Sequence, residues 1–315
     1  MTDNATPAQV SPHVIADAAR YAERFAQGDP FRHVVIDDFF APEYAARLVA
    51  EFPAFERGNA RNENGEIGNK STVERIRDLG PAYATLDDLV KSPAMLDLVG
   101  RVTGIPDLLY DPWYFGGGTH ENRDGQDLDP HVDFNRHPIE EWHRRLNLIV
   151  YFNREWDDAW GGSLELHSDP RSPDDRTTLV TPLYNRCVIF ETTETSWHGF
   201  TRIGRAPGMP PLSRKSIALY FYTKERPRAE RAAEHSTIYV DRPLPERYHP
   251  GMMLGADDLQ ELRVLIKRRD QHNQRLYREI TSLTTQLKQA RDALTGGRLG
   301  RLEYFAKRFA ARFQR

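Results

Sequence analysis

Apolar and polar positions change period along this chain. Up to about residue 103 they recur at helical spacing, which predicts a short helix over Val14–Gln27, closed by Gly28-Asp29-Pro30, and further helices over Pro42–Glu51, Ala82–Lys91 and Pro93–Val102. Ser92 caps the last of these, Pro93 sits in its first turn, and Gly104 ends it. Residues 1–12 carry no such pattern and are expected to be disordered. From Leu108 to Thr223 the period shortens to that of strands, in runs of β-branched and aromatic residues separated by turns such as Asp124-Gly125 and Trp160-Gly161-Gly162. Helices first and antiparallel strands afterwards predict an α+β chain: a double-stranded β-helix, or jelly-roll, core buttressed by helices.

Two strands divide their faces by chemistry. Over Arg145–Phe152 the even positions Leu146, Leu148, Val150 and Phe152 are apolar and suit a sheet-on-sheet core, while Arg145, Asn147 and Tyr151 share the other face with Ile149. Over Arg214–Tyr222, Arg214, Ser216, Ala218, Tyr220 and Tyr222 alternate with Lys215, Ile217, Leu219 and Phe221. Polar groups on a buried strand need hydrogen-bonding partners, since leaving one unpaired costs about 1–3 kcal/mol. A polar ligand or a neighbouring side chain would supply them; a face turned to water is the other reading.

In His131-Val132-Asp133 an extended backbone points an imidazole and a carboxylate to the same side. Alone, such a pair is common in solvated turns. His198, in Thr195-Ser196-Trp197-His198-Gly199-Phe200, follows after enough chain for several strands to fold back beside it. Two histidines and one carboxylate on one side of a metal leave the opposite positions open, the facial arrangement of non-haem Fe(II) oxygenases. Arg214 adds a guanidinium fork that can hold a carboxylate through two parallel hydrogen bonds, with Ser216 on the same face.

Taken together, His131-x-Asp133, the strand ending Tyr151-Phe152-Asn153, Gly161-Gly162-Ser163-Leu164-Glu165-Leu166, His198 and Arg214-x-Ser216 resemble the prolyl-hydroxylase-like branch of the Fe(II)/2-oxoglutarate-dependent dioxygenases. The resemblance spans roughly residues 31–225 and includes the entry segment His33–Phe40 followed by the helix from Pro42. It implies that His131, Asp133 and His198 bind Fe(II), that Arg214 holds the far carboxylate of 2-oxoglutarate, and that Asn147, Tyr151 and Ser216 lie in the cosubstrate site. It further implies O2 as co-reactant, with hydroxylation of a small-molecule or peptidyl substrate and release of succinate and CO2, a prolyl or amino-acid-like target being mildly favoured. Two features depart from the collagen-type pattern: arginine stands in place of lysine at 214, and a Pro- and Gly-rich insertion, Arg205–Leu212, separates it from His198. Retention of Asp133 argues against halogenation.

Composition bounds this picture. The 315 residues are 39% hydrophobic, enough for one substantial core with more polar appendages. A formal net charge of -3 makes no case for a nucleic-acid partner. The one cysteine, Cys187, lies in an apolar strand and reads as a buried structural thiol. Without a signal-like N-terminus or an apolar run long enough to span a bilayer, the chain is expected to be cytoplasmic.

The polar loop Gly116–Pro130 reads as a mobile wall or an ordinary surface excursion. Trp113, Tyr114, Phe134, Trp142 and Trp197 read mainly as packing, and Arg123, Arg136 and His137 as solvated flanks with an anionic substrate as the alternative. Beyond residue 255 heptads begin. Leu259, Ile266, Asn273, Ile280, Leu287 and Leu294 form one series, and Leu262, Arg269, Leu276, Leu283 and Ala290 the other. This predicts a coiled-coil-like helix and a homodimer through residues 259–294, against a helix folded back on its own domain. Arg298–Arg315 reads as a basic amphipathic helix that docks, or that lies on a membrane surface or partner protein.

The expected divisions are 1–30 (tail and short helix), 31–225 (dioxygenase domain), 226–255 (linker), 256–295 (heptad helix) and 298–315 (basic helix). Two other functions fit parts of the pattern: a non-redox metal-binding jelly-roll acting as hydrolase, isomerase or sensor, or a coiled-coil scaffold carrying a silent oxygenase-like domain.

Overall fold

The helix expected over Val14–Gln27 is broken in two, Pro12–Ala16 (α1) and Ala18–Ala26 (α2), because Asp17 between them leaves helical geometry at φ -94° and ψ 16°. The computed structural model describes residues 8–58, 70–204, 208, 210–245 and 247–295. It forms two units, Met1–Arg242 and Pro243–Arg315.

In the first unit, α1 and α2 are followed by His33–Ile36 (β1), Pro42–Ala50 (α3), Ser71–Val73 (β2), Pro81–Val90 (α4) and Pro93–Thr103 (α5). Four of these helices open on proline, whose missing N–H costs nothing in a first turn. Ser92 caps α5 by accepting from the Met95 N–H, and Gly104 closes it at φ 71°. The strands that follow are Leu109–Tyr110 (β3), Gly118–Arg123 (β4), Leu128–Val132 (β5), His143–Tyr151 (β6), Leu164–His167 (β7), Thr177–Val180 (β8), Cys187–Glu191 (β9), Trp197–Phe200 (β10), Ser213–Thr223 (β11) and Ile238–Tyr239 (β12).

They build two antiparallel sheets. The larger runs β1-β9-β6-β11-β4-β2, with β3 also on β11, and the smaller runs β12-β5-β10-β7-β8. From β4 to β11 the chain crosses between the sheets at nearly every connection, which is the winding of a double-stranded β-helix.

The core lies where the strand pattern alone did not put it. Leu146, Leu148, Val150 and Phe152, with Ile217, Leu219 and Phe221, pack against residues of α1 to α5 on the outer face of the larger sheet. Each such side chain contributes about 1.5–3 kcal/mol when fully buried. The interior between the sheets is more polar. Its apolar part is a small cluster of Tyr151, Val188, Phe190, Leu164, Leu166 and Val180. A sheet covered by helices on one side frees its other side to line a site.

Three further expectations change. Gly116–Pro130 is mostly not loop but the strands β4 and β5, whose Glu121 and Asn122 are buried. Val10 and Ser11, expected in a disordered tail, are buried, Val10 bridging to Phe40. Residues 226–255 are more than a linker, because β12 extends the smaller sheet beside β5.

In the second unit, Ala256–Thr295 (α6) is a 40-residue helix. The Gly255 N–H donates to Asp258 and the Tyr248 hydroxyl to Glu261, which fastens its first turns. Leu259, Ile266, Leu276, Ile280, Leu283 and Leu287 of the heptad series are exposed. Among the described residues no helix is long and apolar enough to cross a membrane. The basic segment 298–315 lies outside the described residues.

Candidate active site

His131 on β5 and His198 on β10 are direct cross-strand partners, with ring centroids 4.2 Å apart. The ladder shifts register immediately after them, and Gly199 makes the approach possible: a Cβ there would sit 2.6 Å from the Leu128 carbonyl oxygen. Asp133 follows the last residue of β5 and turns its carboxylate toward both rings, Oδ1 lying 3.8 Å from His131 Nε2 and Oδ2 3.5 Å from His198 Nε2. One ligand-type atom from each of the three residues lies within 4.8 Å of the others.

Both imidazoles are oriented in the same way. His131 Nδ1 is 2.9 Å from the Asp129 carbonyl and His198 Nδ1 2.9 Å from the Ser196 carbonyl. A carbonyl only accepts, so each Nδ1 carries the proton and each Nε2 presents a lone pair to the shared point. Burial favours these neutral forms. It pushes His131 down to about 3, with His198 adding to the effect, and lowers His198 as well. Tyr239 of β12 stacks on the His131 ring at 5.2 Å.

The Asp133 carboxylate has two supports. Arg144 Nη2 approaches Oδ2 to 3.1 Å, and Asn147 Nδ2 donates to the same oxygen at 2.8 Å. Burial opposes the charge on Asp133, yet Arg144 and the Asn147 hydrogen bond hold its carboxyl below the usual range. Arg144 is itself fully buried, with its guanidinium 3.7 Å from the Tyr220 ring centroid and 4.4 Å from that of Phe134. Asn147 Oδ1 accepts from Arg144 at 2.7 Å, so both ends of this amide are engaged around Asp133. A bulge explains the placement. Tyr222 pairs with Arg144 while Phe221 pairs with Leu146, so Arg145 is the extra residue and Arg144 joins the face of Asn147. Arg145, expected on that face, instead meets Glu191 and Glu230.

Arg214 lies on the same interior face of β11. Its Nε donates to the Gly162 carbonyl, its Nη2 to the Tyr151 hydroxyl at 3.2 Å, and its guanidinium lies 4.3 Å from the Phe200 ring centroid. Gly162 aims that carbonyl from φ 73°, a conformation glycine adopts without strain. Only 5% exposed, Arg214 has no carboxylate partner among the described residues, and its Nη1 makes no hydrogen bond to them. Ser216 is buried two residues on, opposite Tyr151 on β6 and His120 on β4.

The seven side chains expected in the site therefore share one interior. His131, Asp133 and His198 converge, Asn147 braces the carboxylate, and Tyr151 and Ser216 lie by Arg214. Arg144 and Tyr239 were not expected there. A second arginine beside Arg145 at the head of β6 is the one signal in the sequence that could have pointed to Arg144.

Residues 117–222 match the sequence model of the 2OG-Fe(II) oxygenase superfamily. The match covers about a third of the chain. A search of curated protein sequences found no match. Among solved structures the chain is similar to a prolyl hydroxylase from Trichoplax adhaerens in complex with a hypoxia inducible factor peptide, at TM-score 0.47 and 12% identity over 68% of this chain and 94% of that one. It is similar also to a prolyl 4-hydroxylase from Phytophthora capsici, at TM-score 0.46 and 18% identity over 81% and 74%. HygX from Streptomyces hygroscopicus, with nickel and 2-oxoglutarate bound, gives TM-score 0.45 and 13% identity over 72% and 98%.

The donor set fits the ion in that superfamily's name. Two neutral nitrogens and an ionised carboxylate meet on one side of a point, each held by a hydrogen bond from behind.

Proposed function

We propose that this chain is a 2-oxoglutarate-dependent hydroxylase in which His131, Asp133 and His198 hold Fe(II) and Arg214 holds the far carboxylate of the cosubstrate. The observation that carries the reading is Arg214: a buried guanidinium without a carboxylate partner among the described residues, beside the three convergent donors. Leaving such a charge uncompensated is costly, and a bound carboxylate removes that cost. Phe200, against which Arg214 packs, lies two residues from His198 on the same strand, a step of about 6.6 Å.

When bound, iron with 2-oxoglutarate and O2 supplies the oxidising chemistry, forming succinate and CO2 as a substrate C–H bond is hydroxylated. The protein's part is placement. Both Nδ1–H groups fix their rings, Arg144 and Asn147 keep Asp133 ionised and aimed, and Tyr151 with the Gly162 carbonyl fixes the Arg214 fork so that its remaining donors face the ligand. A small-molecule or peptidyl target fits this reading, with a prolyl or amino-acid-like one mildly favoured. We further assign residues 259–294 to a homodimer contact, supported by the exposed heptad face of α6.

Anaerobic addition of Fe(II) and 2-oxoglutarate tests the assignment. A weak visible charge-transfer band needing both components is expected, and its absence would favour a non-redox metal protein.

A further inference from the structure

The interior carries a cation that this chemistry does not use. Thr72 on β2 pairs with His120 on β4, His120 with Ser216 on β11, and Ser216 with Tyr151 on β6. Paired residues share a face, so this row crosses four strands of the larger sheet on the side of Arg214. Lys70 immediately precedes β2, two residues before Thr72. The charges nearest it are those of the interior: Asp133 first, then Arg144, Glu74 and Arg214.

We propose that Lys70 and Thr72 form a subsite for an anionic group, a carboxylate or a phosphate, on the substrate that this site oxidises. The inference rests on the oxygenase reading above and adds the substrate's charge. Three observations carry it. Lys70 has no ion pair among the described residues. The Thr72 hydroxyl oxygen is buried with no hydrogen-bond partner among the described residues. The charge balance of the interior is the third. Lys70 and Arg144 neighbour Asp133, Arg214 neighbours Lys70, and Glu74 is exposed and accepts from the Gly116 N–H. A ferrous ion and a dianionic cosubstrate cancel each other, and Asp133 offsets one cation. The remaining positive charge is large for a buried space, and an anionic substrate group reduces it.

His120 bounds the subsite without adding charge. Its Nε2–H donates to the Gly116 carbonyl, and burial keeps the ring neutral. Burial also lowers the Lys70 ammonium while Asp133 opposes the shift. The cations read from sequence for an anionic substrate are engaged elsewhere: Arg123 with Glu121 and Glu56, Arg136 with the Glu141 carbonyl, and His137 with Asp111.

The test uses full-length protein loaded with Mn(II) and 2-oxoglutarate, and inorganic phosphate as the probe, read by 31P relaxation. Wild type should show a saturable enhancement, since a bound phosphate lies near the paramagnetic ion. Lys70→Met should weaken phosphate binding at least fivefold, Lys70→Arg should restore most of it, and Thr72→Val should weaken it less. Across the variants 2-oxoglutarate affinity should stay within twofold of wild type. A parallel titration with acetate, read by methyl-proton relaxation, ranks carboxylate against phosphate. Unchanged phosphate relaxation in Lys70→Met would overturn the subsite. So would a tenfold loss of 2-oxoglutarate affinity, which would make Lys70 a cosubstrate residue. Failure of the wild type to bind 2-oxoglutarate at all would instead overturn the oxygenase reading on which the subsite rests.

Discussion

Arg144 lies 3.1 Å from Asp133, and the pair is braced: Asn147 bonds to both, and Phe134 and Tyr220 flank the guanidinium. Removing one member of a buried ion pair strands the other, which typically costs about 3–5 kcal/mol. Arg144→Met should therefore destabilise the metal-free protein by about that amount in denaturant titrations, and weaken Mn(II) binding by roughly 10- to 100-fold. Wild-type metal affinity in a folded Arg144→Met protein would show that Asp133 needs no such support.

Asp133→Ala removes the only anionic donor of the proposed trio. Succinate formation from 2-oxoglutarate should fall to background, and the anaerobic charge-transfer band should vanish with it. Persistence of either would place the ion elsewhere.

Arg214→Ala should act on the cosubstrate and spare the metal. The 2-oxoglutarate concentration needed for half-maximal turnover should rise by about 30- to 200-fold, as expected for loss of about 2–3 kcal/mol in a hydrogen-bonded pair to a charged group. Mn(II) affinity without cosubstrate should change little. An unaltered 2-oxoglutarate requirement would remove Arg214 from the site.

The two histidines set a pH dependence for the metal-free protein. Burial lowers His131 from 6.5 to about 3 in the folded chain, so below pH 6.5 the unfolded chain takes up the proton first. Stability should fall as pH drops from 6.5 toward about 3, by up to about 1.4 kcal/mol per pH unit from this group, with His198 shifted in the same direction. Denaturant titrations between pH 7 and 4 should show a shallower slope in His131→Asn. Equal slopes would mean that the ring is accessible to protons in the folded state. Because both rings are already neutral and Asp133 ionised near pH 7, metal binding there should release almost no protons, which calorimetry in buffers of different ionisation enthalpy measures.

Deleting residues 256–315 leaves the first unit intact, including β12 and Tyr239 beside His131. Light scattering should report a dimer for the full chain and a monomer for the shortened one, with turnover per site unchanged within about twofold. A dimer after deletion would move the contact away from the heptads.

Much of this was legible from residue order. The change of period marked helices and then a jelly-roll, the His131-x-Asp133 spacing and His198 marked three ligand-type side chains that converge, and alternation on β11 placed Arg214 and Ser216 on one face. These features are local. A strand's two-residue repeat decides which side chains share a side, whatever the strand packs against. Alternation could not say which side meets the helices, so Leu146, Leu148 and Val150 were assigned to the space between the sheets and belong instead to the outer face. It also assumes an unbroken ladder. One extra residue, Arg145, reverses the side on which Arg144 lies and makes it the counter-charge of Asp133. Lys70 and Tyr239 reach the site from segments 63 residues before and 106 residues after Asp133 in chain order, brought in by strand pairing at the sheet edges. Periodicity is written into neighbouring residues; which distant charges meet in one buried space is settled only when the sheets close, because burial and pairing are properties of the packed chain.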